Sequence, residues 1–239
     1  MPTSVSAEAL SKENVDYVGI DWQHGLLDYG SLLPMLQAIT ASNSTPVVRV
    51  PGNDSAWIAK ALDGGAEVVI VPMVNSRAEA ERAVAACRYP PAGDRSYGPN
   101  RAGMYLGLDP ATVNREVVCL VMIETRLAVQ HAEEICSTPG LDGIYIGPSD
   151  LSVSMGLPIG GGGPEHDDAI EQIRIACEHN NIVVGIHTTG GEQAKHYAER
   201  GFRMLSLASD LSLLRAAMRE QVNLARSSTN QSRKAGIYS

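Results

Sequence analysis

Five ionisable residues in this chain stand at or close to the ends of short apolar runs: Asp21, Arg49, Glu124, Asp150 and His187. Two carboxylates, Glu124 and Asp150, with an arginine and histidines nearby, are the composition of a site for a hard divalent cation. Oxygen ligands suit Mg²⁺ or Mn²⁺, which keep coordination positions open for water and substrate. Each carboxylate taken alone could equally be a helix cap, because each precedes a candidate helix. Zinc is not expected, since no HxxxH or HxH pair is present. A Schiff-base lysine is not expected either. Lys12, Lys60, Lys195 and Lys234 fall on candidate helices or in the tail, whereas such a nucleophile belongs at a strand end.

The elements that must position these residues alternate in type. Apolar runs at 17–21, 46–50, 68–73, 117–124, 143–147, 182–187 and 204–208 are rich in Val and Ile, with little polar alternation. Strands buried on both faces have this pattern, which implies a parallel sheet. Between them lie helices with readable ends. Asn53 or Asp54 starts one that Gly64 and Gly65 stop, and Ser76 with Glu79 has capping-box spacing. Further helices are expected at 7–12, from Asp167 or Asp168 to Asn180, at 190–200, and from Asp210 to about Leu224. The order β–α repeated gives an α/β fold. No G-x-G-x-x-G follows the first strand, so a closed barrel is favoured over a dinucleotide-binding sheet.

A TIM-type (β/α)₈ barrel needs eight strands and about 250 residues. This chain has 239 residues and seven candidate strands. The missing one is the first, because residues 1–6 are too few for a strand and its turn. A truncated or misassigned start is the expectation. Residues 1–226 read as a single barrel domain and 227–239 as a polar, disordered tail. The Gly160–Gly163 run reads as a flexible connector. In such a barrel the C-terminal strand ends form the active site, which is where the five ionisable residues fall.

Composition narrows the partners. The formal net charge is −8 and no Lys/Arg cluster offers a nucleic-acid or membrane surface. Cys87, Cys119, Cys136 and Cys177 form no CxxC pair, so buried, reduced thiols are expected. Met1–Ser11 lacks the pattern of a signal peptide and no apolar run reaches membrane-span length. A cytoplasmic protein acting on small molecules is expected.

The segments IDWQHG (20–25), PVVRVPGND (46–54), ALDGGAEVVIVPMV (61–74), RYPPAGDRSYGPNRA (88–102), VMIET (121–125) and LDGIYIGPSDLSVSMG (141–156) resemble the HpcH/HpaI aldolase family, in order and at its spacings, over roughly residues 5–225. The resemblance implies a metal-dependent aldolase acting on a 2-oxo acid such as pyruvate and an aldehyde. The ion would be Mg²⁺ or Mn²⁺, with Co²⁺ a further candidate. It implies Glu124 and Asp150 as metal ligands and Arg49 as the contact to the 2-oxo acid. It implies His24 as the catalytic histidine with Asp21 before it, and Asp63 as its partner from a neighbouring subunit of a homo-oligomer, hexameric in the family. Gly147 and the backbone N–H groups of Ser149 and Asp150 would hold the substrate carboxylate. Gln23 departs from the family, where many relatives have Glu. A CoA-ester lyase of the citrate lyase β type and a non-catalytic metabolite-binding barrel are the alternatives. The long loop 89–101 is expected to cover substrate, with Arg95 or Arg101 meeting an anionic acceptor. Trp22 and Trp57 are read as packing. His131, His166, His179 and His196 are read as solvated, and His187 as a strand-end residue without a partner in sequence.

Overall fold

A computed structural model describes residues 1–160 and 162–235, with residues 228–235 described by their backbone alone. Residue 161, inside the glycine connector, and residues 236–239 of the expected tail lie outside the described residues. Seven strands form one parallel sheet in the order β1-β2-β3-β4-β5-β6-β7. They are β1 (Tyr17–Asp21), β2 (Thr45–Arg49), β3 (Val68–Val71), β4 (Val118–Ile123), β5 (Gly143–Ile146), β6 (Val183–Ile186) and β7 (Met204–Leu205). Each matches an expected apolar run to within a few residues. The helices are α1 (Ser4–Ser11), α2 (Tyr29–Thr40), α3 (Ser55–Asp63), α4 (Arg77–Cys87), α5 (Pro110–Glu116), α6 (Arg126–Gln130), α7 (Ala132–Cys136), α8 (Pro148–Ser154), α9 (Pro164–His179), α10 (Gly191–Glu199) and α11 (Asp210–Ala235).

Side chains alternate across each strand and fill two cores. Outward residues such as Val48, Val69, Val121, Ile144 and Ile186 pack against the helices. Inward residues Val47, Ile70, Leu120, Met122 and Tyr145 form a second, smaller cluster with Tyr17 and Met204 against it. The sheet is curled. Strands lie about 4.8 Å apart, so in a flat sheet β1 and β5 would be separated by roughly 19 Å. Instead Tyr17 and Tyr145 are close enough that, after burial, Tyr145 is the next cause raising the Tyr17 pKa. Likewise Arg49 Nη1 on β2 is 4.0 Å from Met122 Sδ on β4, across the intervening β3.

The expected eighth strand is not seen: among the described residues β1 pairs only with β2, and β7 only with β6. The result is an open, half-barrel-like sheet rather than a demonstrated closed barrel. Residues near the start form α1, and Ser6 Oγ donates to Asp210 Oδ2 at 2.8 Å, which ties α1 to the start of α11.

Helix ends follow local chemistry with three corrections. Asp54 caps α3 by accepting from Ala56 N, and Ser76 caps α4 by accepting from Glu79 N, both as expected. Helix α9 starts at Pro164 rather than at Asp167 or Asp168; proline suits the first helical turn, where its missing N–H has no partner to lose. Helix α1 begins at Ser4, ahead of Ala7, because Thr3 caps it by accepting from Ser6 N. Helix α11 runs past Leu224 to Ala235, so the first part of the expected tail is helical. Helices α2, α5 and α7 have no counterpart among the helices expected from sequence. Asp28 caps α2 by accepting from Ser31 N.

Loop 88–106 is fastened down by arginines. Arg101 Nη1 donates to the Gly64 carbonyl at 2.7 Å, and Nη2 donates to Thr40 Oγ1. Gly65, at φ +103°, has room for no side chain, because a Cβ there would stand 2.1 Å from Arg101 Nη1. Gly65→Ala is therefore expected to cost about 1–3 kcal/mol through backbone strain and loss of this tether. At this chain length each kcal/mol lowers the melting temperature by about 2–4 °C. A melting curve identical to wild type would contradict both the backbone strain and the cost of displacing Arg101.

Candidate active site

The site is assembled where the strands end. Asp21 and Arg49 are register partners on β1 and β2, so both point inward at the same height. They form a two-pronged ion pair, with Arg49 Nε donating to Asp21 Oδ1 at 2.9 Å and Nη2 to Oδ2 at 2.6 Å. Asp21 Oδ1 also accepts from the backbone N–H of Gln23 and His24 at 3.1 and 3.2 Å, which folds the following loop around the carboxylate. Burial works to raise the Asp21 pKa, but Arg49 and these N–H groups outweigh it and hold the carboxyl below its usual range. Among the described residues Arg49 Nη1 has only the weakly accepting Met122 sulfur beside it, so a substrate oxygen can take that donor. His24 is exposed at the mouth. Gln23 Oε1 is buried without a partner among the described residues; a glutamate there would bury a charge at the same spot.

Glu124 follows β4 and is only 1% exposed. Its Oε1 accepts the Met73 N–H at 2.7 Å, while Oε2 is buried and has no partner among the described residues. Gly147 makes room for that oxygen: a Cβ on Gly147 would lie 2.4 Å from Glu124 Oε2. Burial raises the Glu124 pKa; the Met73 N–H lowers it, Asp150 raises it further and Arg49 lowers it, and the balance stays above the usual carboxylate range. Asp150 is exposed in the first turn of α8. The Gly147 N-cap of that helix offers no side chain, so the first N–H groups, including those of Ser149 and Asp150, have no side-chain cap. His166, on α9, steadies this segment through Nε2 and the Pro148 carbonyl at 3.0 Å.

The residues present fit a divalent ion. A buried carboxylate oxygen without a partner, a raised pKa driven partly by a second carboxylate, and a glycine that clears the space are what such an ion would resolve. Among the described residues no group of three or more His, Cys, Asp or Glu side chains could hold a metal. Glu124 and Asp150 would therefore leave the other positions to water and substrate, as Mg²⁺ usually requires.

Other residues that the sequence singles out have definite partners within the chain. Asp63 accepts from Arg95 Nη2 at 2.7 Å within the same chain. Arg95 is 3% exposed and stacks over Tyr89 with its guanidinium carbon 4.5 Å from the ring centre, while Arg101 is bound to Gly64 and Thr40. Both arginines thus anchor the loop and neither is presented to an acceptor, because the loop folds onto α2 and α3. His166 is buried and His131 Nδ1 meets the Asn75 carbonyl at 2.9 Å, so neither is simply solvated. Trp22 is buried and packs edge-on against Trp57 at 5.0 Å, as read from sequence. All four cysteines are buried and free. His187 has a partner that sequence could not show: Nδ1 lies 3.0 Å from Ser206 Oγ, just beyond β7.

Comparison with known proteins gives a consistent result. The sequence model described as HpcH/HpaI aldolase/citrate lyase matches residues 3–217. The chain is 39% identical over 229 residues to a hydroxypyruvate/pyruvate aldolase of Rhizorhabdus wittichii, covering 95% of this chain and 91% of that one. It is 33% identical over 219 residues to a 5-keto-4-deoxy-D-glucarate aldolase of Salmonella arizonae, covering 90% and 86%. Among solved structures, an HpcH/HpaI aldolase/citrate lyase family protein of Burkholderia cenocepacia superposes with a TM-score of 0.88 at 30% identity, covering 95% of this chain and 91% of that one.

The Glu124 environment has a stability consequence. A carboxyl whose folded pKa is raised favours folding less as pH climbs from the unfolded pKa through the folded one, and the loss then persists at higher pH. In chelator at pH 7, Glu124→Gln is expected to melt at a higher temperature than wild type, and the gap should close as pH falls below about 4, the usual carboxylate pKa. A lower melting temperature for the variant at pH 7 would contradict this account of the burial.

Proposed function

Because this chain belongs to the HpcH/HpaI aldolase/citrate lyase family, we propose that it is a metal-dependent aldolase that reversibly splits hydroxy-2-oxo acids into pyruvate, or a similar 2-oxo acid, and an aldehyde. The observation that carries the reading is the Glu124 carboxylate, buried with one oxygen free beside Gly147 and electrostatically coupled to Asp150. The relatives at 33–39% identity are named aldolases, which favours this chemistry over a CoA-ester lyase.

Glu124 and Asp150 would hold Mg²⁺ or Mn²⁺, with Co²⁺ a further candidate. Such an ion, when bound, supplies Lewis-acid polarisation of the 2-oxo group. The rest belongs to the chain's own groups. Arg49, fixed by Asp21, offers Nη1 to the oxygen that gains negative charge as the methyl proton leaves, a contribution of about 3–4 kcal/mol for one well-placed donor. The N–H groups of Ser149 and Asp150, with Gly147 opening the approach, receive the substrate carboxylate. His24 carries the proton at the methyl carbon. Asp63 tunes His24 from a neighbouring copy in a homo-oligomer, with a hexamer as the form the family implies. The half-exposed Leu211, Leu214 and Met218 of α11 support self-association. No helix among the described residues is long and apolar enough to cross a membrane. The free, buried cysteines accord with a cytoplasmic setting.

Pyruvate release from a hydroxy-oxo acid is expected to stop in EDTA and return with Mg²⁺ or Mn²⁺. Glu124→Ala and Asp150→Ala should each remove the metal response. Full metal-stimulated activity in either variant would overturn the assignment.

The shared dyad has its own test. His24→Ala and Asp63→Ala should each be inactive alone, and co-refolding the two should restore a fraction of wild-type turnover in mixed oligomers. No recovery in a mixture shown by light scattering to be co-assembled would place Asp63 outside the reaction.

A further inference from the structure

His187 is the inward-facing residue that follows β6. Ile186 before it is fully buried against the helices, and Gly185 faces Tyr145 and Met204 in register. Its backbone N–H donates to the Ile146 carbonyl at 3.0 Å, so the sheet fixes its height beside the end of β5. The ring is fixed as well. Ser206 Oγ accepts the Thr188 N–H at 2.9 Å and lies 3.0 Å from His187 Nδ1. The Ser206 proton has two acceptors in reach, the Thr188 carbonyl at 3.3 Å and His187 Nδ1 at 3.0 Å; the shorter contact takes it, which leaves the ring proton on Nε2. No hydrogen bond to Nε2 occurs among the described residues, and the side chain stays open to solvent at the mouth. The ring is close to the reacting machinery: burial and then the Arg49 charge lower its pKa, and Asp21 raises it in part. His187 is therefore neutral near pH 7 and presents one N–H.

The charges around the mouth define what that N–H can meet. Arg49 is spent on Asp21 and the 2-oxo acid. Arg95 and Arg101 stand away from the mouth, held by Asp63, Gly64 and Thr40 at the C-terminal ends of α2 and α3, where the chain turns into the strand starts. No arginine among these is left for a second carboxylate, whereas a neutral imidazole N–H suits an uncharged oxygen.

Resting on the aldolase reading above, we propose that His187, positioned by Ser206, selects the aldehyde by donating an Nε2 hydrogen bond to a hydroxyl, which makes uncharged hydroxyaldehydes the preferred acceptors.

The test compares glycolaldehyde with propionaldehyde, which replaces the hydroxyl by a methyl, each with pyruvate and Mg²⁺. Wild type should show the higher kcat/KM for glycolaldehyde, and higher than for succinic semialdehyde. His187→Leu should lower kcat/KM for glycolaldehyde about tenfold, the scale of one lost hydrogen bond, and leave propionaldehyde within about threefold, under one tenfold step of barrier. His187→Gln, which keeps an N–H donor, should recover part of the preference, and Ser206→Ala should lower it less than His187→Leu. Equal losses for both aldehydes, an unchanged preference in His187→Leu, or a wild-type preference for succinic semialdehyde would each overturn the proposal. Absence of aldol product with every aldehyde in wild type would instead refute the aldolase reading, so the two failures are distinguishable.

Discussion

Side-chain alternation along a parallel strand is the constraint on which the rest of this molecule depends. One set of residues must satisfy the helices outside, and the other must satisfy whatever the curled sheet encloses. Near the strand starts the inner set is apolar, with Val47, Leu120 and Tyr145 in contact. Toward the ends it becomes ionic, with Asp21 beside Arg49. A slip of one residue would turn every side chain of a strand to the opposite face. The outer core that holds the register also sets which functional groups can meet.

The two carboxylates at the centre are unequal in a way that matters for chemistry. Glu124 is buried with an unsatisfied oxygen, and Asp150 is open on the first turn of a short helix. The buried one is held in a tension that a cation can relieve, and the open one can adjust as ligands exchange. Arg49 lies near enough to lower the Glu124 pKa without being its hydrogen-bond partner. The Asp21 pair keeps it from collapsing onto the carboxylate.

Much of this was readable in the amino-acid order, for physical reasons. The strands announced themselves through Val and Ile because both faces are buried, and the ends of α3 and α4 through Asp54 and Ser76 because caps are local. The pairings across the fold were not readable. Arg95 meets Asp63 across 32 residues, His187 meets Ser206 across 19, and His166 meets Pro148 across 18. Such contacts depend on how loops fold back, and no periodicity encodes them. Helix α9 starts at Pro164, ahead of Asp167 and Asp168: acidic residues in a first turn resemble caps without being them. Closure of the barrel was inferred from fold class, and the strands present do not supply it.

The sequential strand order bears on how the chain reaches this shape. Every strand pairs with its neighbour in sequence, from β1 through β7. Each new strand–helix unit can dock on the one made just before it, and no late strand has to find the first. Loop-closure entropy is then met in small increments instead of one long-range step, which favours rapid folding. Chains emerge from synthesis N-terminus first, so the sheet can grow as it is made, with β1 as the template.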